Sequence, residues 1–186
     1  MRDPIYQDLS QFSMPPNFRG KNVFIVQLWW IVQALLFSTS PDFLYGYRAW
    51  LLRLFGAKLG NNVRIRPSAK VTFPWKLEVG DNVWIGYDTI IYNLEKITIG
   101  SNVAIAHRVY LCTGSHNISK LTFDIESYPI NIEDEVWLPN DIFVGPGVTI
   151  GHGTVVAARS TVLKDLESGI VAVGSPARKL RNRLPA

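Results

Sequence analysis

The sequence predicts an all-β fold, a parallel β-helix of about five coils, and three observations lead to it. Aliphatic residues recur every six positions from residue 59 onward. This period is typical of parallel β-helices and does not fit an α-helix, whose side chains repeat every ~3.6 residues. The extra residues that interrupt the period always fall at the same point of a three-hexad cycle. The period and its interruptions therefore predict a single alignment of the hexads in successive coils.

Three hexads form one triangular coil, with a short strand and a corner for each hexad. Each hexad opens with an aliphatic residue: Leu59, Ile65 and Val71 in coil one; Val79, Ile85 and Ile91 in coil two; Ile99, Ile105 and Leu111 in coil three; Ile132, Leu138 and Val144 in coil four; and Ile150, Val156 and Val162 in coil five. We expect these openers to point inward and to stack about 4.8 Å apart. The solenoid spans 59–167, and its inserted loop spans 117–131.

The corners carry residues that suit tight turns. Gly60-Asn61-Asn62 follows the first opener of coil one, and related triplets follow the first openers of coils two, three and five. Glycine and asparagine tolerate positive φ, which such turns require. A solenoid also exposes its two ends and must cover them. We expect the helical segment 1–58 and the tail 168–186 to act as caps.

The N-terminal segment raises a membrane question. Residues 23–37 carry no charge, but the run is shorter than the roughly 20 residues of a membrane-spanning helix. Residues 43–56 have the spacing of an amphipathic helix, whose apolar face contains Phe43, Tyr47, Trp50, Leu51 and Leu54. Two interpretations stay open: residues 23–56 pack on the solenoid or on a neighbouring subunit, or they make a peripheral contact with a membrane.

Composition excludes several functions. A chain of 186 residues fits one domain, and its net charge is +4. Four cations stand close together near the C-terminus, Arg178, Lys179, Arg181 and Arg183, and the remaining charges are balanced. We interpret the basic pI as a local cluster, which argues against nucleic-acid binding. Cys112 is alone, so no intramolecular disulfide and no Cys-based zinc site is expected. The expected location is the cytoplasm, or the inner face of the membrane.

Several motifs carry a family resemblance. The hexads, TGSH (113–116), VWLPNDIFVGPGVTIG (136–151) and GSPAR (174–178) resemble the hexapeptide-repeat acyltransferases of the maltose/galactoside O-acetyltransferase type. QLWWIVQALLF and YRAWLLRLFGAKLG are similar to the colanic-acid-type acetyltransferases of exopolysaccharide biosynthesis. The resemblance implies a left-handed β-helix, a homotrimer, acetyl-CoA as donor and a sugar hydroxyl as acceptor.

The resemblance also implies catalytic residues. His116 matches the family's catalytic histidine in TGSH, and histidine suits general-base work near neutral pH. Asn93, one coil below at the same edge, resembles an asparagine near the thioester. Asp124, Glu126 and a backbone carbonyl all remain open as the group that orients His116. His107, His116 and His152 belong to different corners, so no metal site is expected.

The donor site is implied residue by residue. Six positions match those that line the family's CoA groove: Trp137, Asn140, Ala158, Lys164, Arg178 and Arg181. The cations among them suit the phosphates of CoA. Leu163 and Pro139 depart from the family pattern. Asn140 and Ala158 belong to second corners, whereas Asn93, His116 and Lys164 belong to third corners. Together with the resemblance, this register implies a composite site between the subunits of a trimer. Two other functions stay open: an acyltransferase for serine or an amino sugar, and a non-catalytic scaffold.

Overall fold

The predicted solenoid forms the body of the protein, as a computed structural model describing residues 5–185 shows. Successive coils pair in parallel, and their openers are aligned. Leu59 lies opposite Val79, and Val79 lies opposite Ile99. The second and third openers are aligned in the same way through the coils. The predicted register is therefore confirmed.

Three sheets form the three faces of the prism, and they are parallel except for the last strand of the second sheet. The first face contains Lys58–Leu59, Leu77–Val79, Ile97–Ile99, Ile130–Ile132 and Thr149–Ile150. The second face contains Arg64–Ile65, Trp84–Ile85, Ala104–Ile105, Trp137–Leu138, Val155–Val156, Ile170–Gly174 and Ala177–Asn182. The third face contains Lys70–Val71, Ile90–Tyr92, Tyr110–Cys112, Phe143–Val144 and Thr161–Val162. We call the turns that end these faces the first, second and third corners.

The solenoid continues beyond the fifth coil. Leu166 bridges to Ile150 on the first face, and Val156 pairs with Ala172 on the second. The chain then folds back, so that Ile170–Gly174 and Ala177–Asn182 pair in antiparallel fashion. The predicted tail is thus partly a sixth turn, and a hairpin ends the prism.

The residues that interrupt the hexads have a structural role of their own. Leu77, Ile97 and Ile130 lie in register with one another on the first face, and all three are buried. They add an inward-facing row to the core at the third corner. The segment that leaves the prism therefore begins and ends earlier than the predicted insert, because Gly114–His116 already belongs to the projecting hairpin and Ile130 to the solenoid.

The corners show the predicted backbone. Asn62, Asn82 and Asn102 have φ between 52° and 57°, the left-handed region that asparagine tolerates. Glycine at the start of the first corner allows close stacking, because a Cβ on Gly80 would lie 2.8 Å from the carbonyl carbon of Gly100.

Two helices cover the first coil and form the N-terminal cap. Helix α1 spans Val23–Val32 and continues into a π-helical turn over Gln33–Phe37, and helix α2 spans Tyr45–Leu54. Trp29, Phe37 and Leu52 are fully buried in the same core as the solenoid openers. The predicted packing of this segment on the solenoid is confirmed. Within residues 5–185, no helix combines the length and apolar content that crossing a bilayer requires.

The cap also satisfies the open edge of the solenoid. Within the prism, the carbonyl of each opener accepts a hydrogen bond from the coil before it, for example Val79 O from Gly60 N. The opener carbonyls of coil one have no earlier coil to pair with. Side chains of the cap donate to them instead: Arg53 to Leu59, Arg48 to Ile65 and Trp29 to Val71. This explains why an arginine is buried in α2. The expected apolar face of α2 is only partly correct, because Leu51 is buried and Tyr47 packs against the core. Trp50 and Leu54 are exposed, and Arg48 and Leu52 face the solenoid.

Candidate active site

His116 lies on a β-hairpin that projects from the third corner of coil three. Gly114–His116 pairs in antiparallel fashion with Ile125–Ser127, and His116 lies opposite Ile125. The turn of the hairpin is held by local polar contacts, because Asn117 donates to Glu126 at 2.8 Å and Lys120 pairs with Asp124 at 2.8 Å. The imidazole therefore stands on a regular element and not on a loose loop.

One hydrogen bond fixes the role of each imidazole nitrogen. His116 Nδ1 lies 2.8 Å from the carbonyl oxygen of Phe123. A carbonyl oxygen can only accept, so Nδ1 carries the proton and Nε2 of the neutral ring has a free lone pair. Of the three groups that the sequence left open, the backbone carbonyl is the one that orients His116. Asp124 is engaged by Lys120, whose hydrogen bond holds the pKa of Asp124 below its usual value, and Glu126 accepts from Asn117 and Tyr128.

Two phenylalanines hold the plane of the imidazole. The ring of Phe123 stacks on His116 with centroids 4.2 Å apart and planes within 8°. The ring of Phe12 is tilted against it at 6.2 Å. Phe12 comes from the N-terminal segment, which crosses the hairpin through a hydrogen bond from Asp8 N to Leu121 O. The sequence carried no signal for this contact, because Phe12 lies outside the repeats and more than a hundred positions from His116.

Asn93 lies inside the stack of third corners, where its side chain binds backbone groups. Its side chain is fully buried. Its amide oxygen accepts from Phe73 N at 2.9 Å, and its amide nitrogen donates to Phe73 O at 2.7 Å. Because the oxygen and the nitrogen of the amide both bind backbone, Asn93 links the third corners of coils one and two. The backbone there needs this partner, since an unpaired buried amide is costly.

Trp137 lies in a groove on the second face. The groove has a volume of about 440 Å³, and its outward-facing strand residues are Arg64, Trp84, Ala104 and Trp137. Trp84, Ala104 and Trp137 follow one another across adjacent strands. The small Ala104 side chain separates two half-exposed indoles, and this leaves the space between them open.

The other two predicted groove residues follow one another along the second corner. Asn140 accepts from His107 N at 3.1 Å through its side-chain oxygen, and its own carbonyl accepts from Arg159 N. Ala158 is exposed at the same corner one coil further on. His107 also borders the groove, but its Nδ1 accepts from Tyr87 N at 3.0 Å, so its imidazole is occupied in holding the corner.

The predicted phosphate-binding cations lie near the last turn of the solenoid. Lys164 and Arg178 line one cavity of about 310 Å³. Arg181 lies opposite Val171 in the terminal hairpin and is exposed. The structure thus brings Lys164 and Arg178 together at one cavity, whereas Arg181 lies further along the strand of Arg178 and does not line that cavity.

The predicted site residues do not form a single site within one chain. His116 projects from the third corner, whereas Asn140 and Ala158 belong to the second corner and Trp137 to the second face. The three histidines also lie apart, with His152 at a first corner 3.8 Å from Glu135. Within residues 5–185, no group of three or more His, Cys, Asp or Glu side chains is placed to hold a metal ion.

Known proteins resemble this chain over most of its length. It is 55% identical over 178 residues to the colanic acid biosynthesis acetyltransferase WcaF of Escherichia coli strain K12, covering 96% of this chain and 98% of that protein. It is 31% identical over 137 residues to the galactoside O-acetyltransferase of the same strain, covering 72% and 68%. A hexapeptide-repeat acetyltransferase of Vibrio cholerae, solved with acetyl-CoA, matches with 28% identity, a TM-score of 0.80 and coverage of 87% and 88%. No protein-family model matches the chain.

Proposed function

The chain belongs to the hexapeptide-repeat acetyltransferases, in the group that includes WcaF, and from this membership we propose its reaction. The left-handed β-helix and the acetyltransferase class that the motifs implied are thereby confirmed. We propose that the enzyme moves an acetyl group from acetyl-CoA to a hydroxyl of a sugar or exopolysaccharide intermediate, with His116 as general base. The relatives named for colanic acid biosynthesis and for galactoside acetylation support this acceptor class.

The bond from His116 Nδ1 to the Phe123 carbonyl is the observation that carries the mechanism. It leaves Nε2 free to take the proton of the acceptor hydroxyl as that oxygen attacks the thioester carbonyl carbon. The tetrahedral intermediate then collapses, the bond from carbon to sulfur breaks, and the imidazolium returns the proton to the departing CoA sulfur. The Phe123 carbonyl stabilises the imidazolium through the same hydrogen bond, because a positively charged donor strengthens it.

We further propose that the active site forms between subunits of a homotrimer. Support comes from the placement of the predicted residues, since Trp137, Asn140 and Ala158 follow the second face and corner while His116 projects from the third. An interface that sets the second corner of one chain against the third corner of another would complete the site. Lys164, Arg178 and Arg181 would then bind the phosphates of CoA as charge-assisted donors.

Acceptor profiling tests the reaction. The purified full chain is incubated with acetyl-CoA and a panel of mono- and oligosaccharides, serine and an amino sugar, and both free thiol and acetylated product are measured. We expect O-acetylated sugar to form with one free thiol released for each acetyl group. Thiol release with serine or the amino sugar alone would contradict the acceptor class, and no transfer to any acceptor despite CoA binding would contradict the enzyme assignment.

Subunit mixing tests the composite site. His116→Ala removes the base, and Ala158→Trp fills the path of the pantetheine arm, so each variant alone is expected to be inactive. If one site draws His116 and Ala158 from different chains, co-expressed variants form about a quarter of the normal sites from two intact contributors. Activity near that fraction supports the proposal. Activity no higher than that of the separate variants would mean that both residues serve from one chain.

A further inference from the structure

The outer side of α1 has no partner within residues 5–185. Phe24, Leu28 and Ile31 of α1 are 81, 52 and 55% exposed, and Leu35 of the π-helical turn that follows is 65% exposed. Their spacing of four, three and four residues places them in one stripe. On the opposite side, Trp29 is fully buried against coil one. A helix that is apolar on both sides needs an apolar neighbour on each of them. The solenoid supplies the first neighbour only.

The chain's charges are unevenly distributed, and the cap end is cationic. Residues 19–77 contain nine Lys and Arg and one Asp, whereas residues 78–177 contain five Lys and Arg and twelve Asp and Glu. The C-terminal cluster is therefore not the sole basis of the basic pI, which corrects the interpretation made from composition. The capped end of the solenoid is positive, and the body behind it is negative.

Some of these cations are held within the fold, and others are available. Arg48 is buried in hydrogen bonds, and Arg66 pairs with Asp42. Lys21 directly precedes the N-cap of α1 and is exposed. Lys70 is exposed beside Val71, whose backbone binds Trp29 and Gln33 of the helix. Positive charge therefore lies before the N-terminus of α1 and on the coil-one strand that the helix covers, while residues 22–41 carry no charge at all.

We propose that the exposed face of α1 docks the enzyme on the surface of an anionic lipid bilayer. An apolar helix face can enter the boundary between headgroups and acyl chains, and nearby lysines and arginines add attraction to anionic headgroups. A second copy of this chain is the less suitable occupant, because joining two cap ends face to face would bring two strongly positive segments together. A bilayer supplies the opposite charge and an apolar layer at once.

Vesicle flotation of the full chain tests the docking surface. The vesicles contain phosphatidylcholine alone or with about one third phosphatidylglycerol, an anionic lipid. The variant Leu28→Gln/Ile31→Gln makes the stripe polar, and Leu180→Gln/Leu184→Gln removes two comparably exposed leucines in the C-terminal segment. We expect the wild type and the C-terminal control to float with anionic vesicles. The stripe variant should bind them at least ~10-fold more weakly, because two large apolar side chains no longer enter the lipid.

Charge and self-association are read in the same samples. Raising salt from about 0.1 M to about 0.5 M should release the wild type, since the headgroup attraction is screened. Equal flotation of wild type and stripe variant, or none by either, overturns the proposal. If only the stripe variant changes its molar mass in light scattering and the wild type does not float, the face is an interface between copies and the proposal fails. The assay contains neither acetyl-CoA nor acceptor, so its outcome is independent of the proposed reaction.

Discussion

Asn93 and His116 follow third-face strands of adjacent coils, yet their surroundings are opposite. Asn93 is fully buried, and its amide spans two backbone groups of Phe73. His116 lies beyond the prism on a hairpin, partly exposed and bound through one nitrogen only. The difference arises from the length of the corner. In coil two the chain returns to the first face at once, whereas in coil three it first builds the hairpin.

This comparison shows how a solenoid makes room for chemistry. A short corner stacks directly on its neighbours, so its polar side chains are used to pair buried backbone. In a long insertion at the same corner, polar side chains do not have to pair buried backbone. Such an insertion can therefore present a histidine with one ring nitrogen available to substrate. The hairpin then needs its own means of positioning, which it obtains from the Phe123 carbonyl and the rings of Phe123 and Phe12.

The largest expected effect is that of His116→Ala. We expect kcat to fall about 10²- to 10⁴-fold, the usual contribution of a positioned general base, while acetyl-CoA binding stays within a few-fold of the wild type. Steady-state kinetics and calorimetric titration with CoA measure the two quantities. His152→Ala is the matched control, because His152 lies at an exposed first corner, and it should keep full activity. A fall of only a few-fold for His116→Ala would refute the assignment.

The same comparison explains what could be predicted from the sequence. The register of the fifteen hexads follows from periodicity, because each opener must enter a narrow core and any shift would expose it. His116 could be named because its motif is local. The structural role of Asn93 could not be inferred, because nothing near it in the sequence indicates that its amide binds the backbone N–H and carbonyl of Phe73 one coil away. Likewise, nothing local indicates that Arg48 satisfies the carbonyl of Ile65 or that Phe12 reaches His116.

Asn93→Ala should reverse the pattern seen for His116→Ala. Two buried backbone groups of Phe73 lose their partners, so we expect the free energy of unfolding to fall by about 2–4 kcal/mol. Activity per folded molecule should stay within a few-fold. Chemical denaturation and kinetics at low temperature separate the two. Asn61→Ala, at an exposed corner, should change stability by less than about 0.5 kcal/mol. A large loss of kcat with unchanged stability would instead support the predicted catalytic role of Asn93.

A smaller effect is expected from the cations that lie far from the hairpin. Arg178→Ala/Arg181→Ala should raise KM for acetyl-CoA by about 10-fold or more and leave kcat nearly unchanged, because phosphate contacts contribute equally to ground and transition states. Lys179→Ala serves as control, since Lys179 pairs with Glu167 at 3.3 Å. Initial rates over a range of acetyl-CoA concentrations measure both constants. An unchanged KM would make the arginines a solvated part of the terminal hairpin.

The smallest effect is expected for Asp124→Asn, and it tests how the hairpin orients its base. In hydrolases where a carboxylate orients the catalytic histidine, the same substitution lowers kcat by about 10⁴-fold because the tautomer changes. Here the Phe123 carbonyl performs that task, and Asp124 pairs with Lys120 at the exposed surface. An exposed ion pair contributes little to stability, so the hairpin should persist without it.

We therefore expect kcat of Asp124→Asn to stay within about three-fold of the wild type, with the pH dependence of kcat/KM unchanged. Lys120→Met should behave in the same way, because it removes the other half of the pair. A loss of 100-fold or more in Asp124→Asn alone would mean that the carboxylate replaces the carbonyl during turnover. The free Nε2 of His116 would then depend on a charged partner, and the contrast with Asn93 would no longer rest on backbone groups alone.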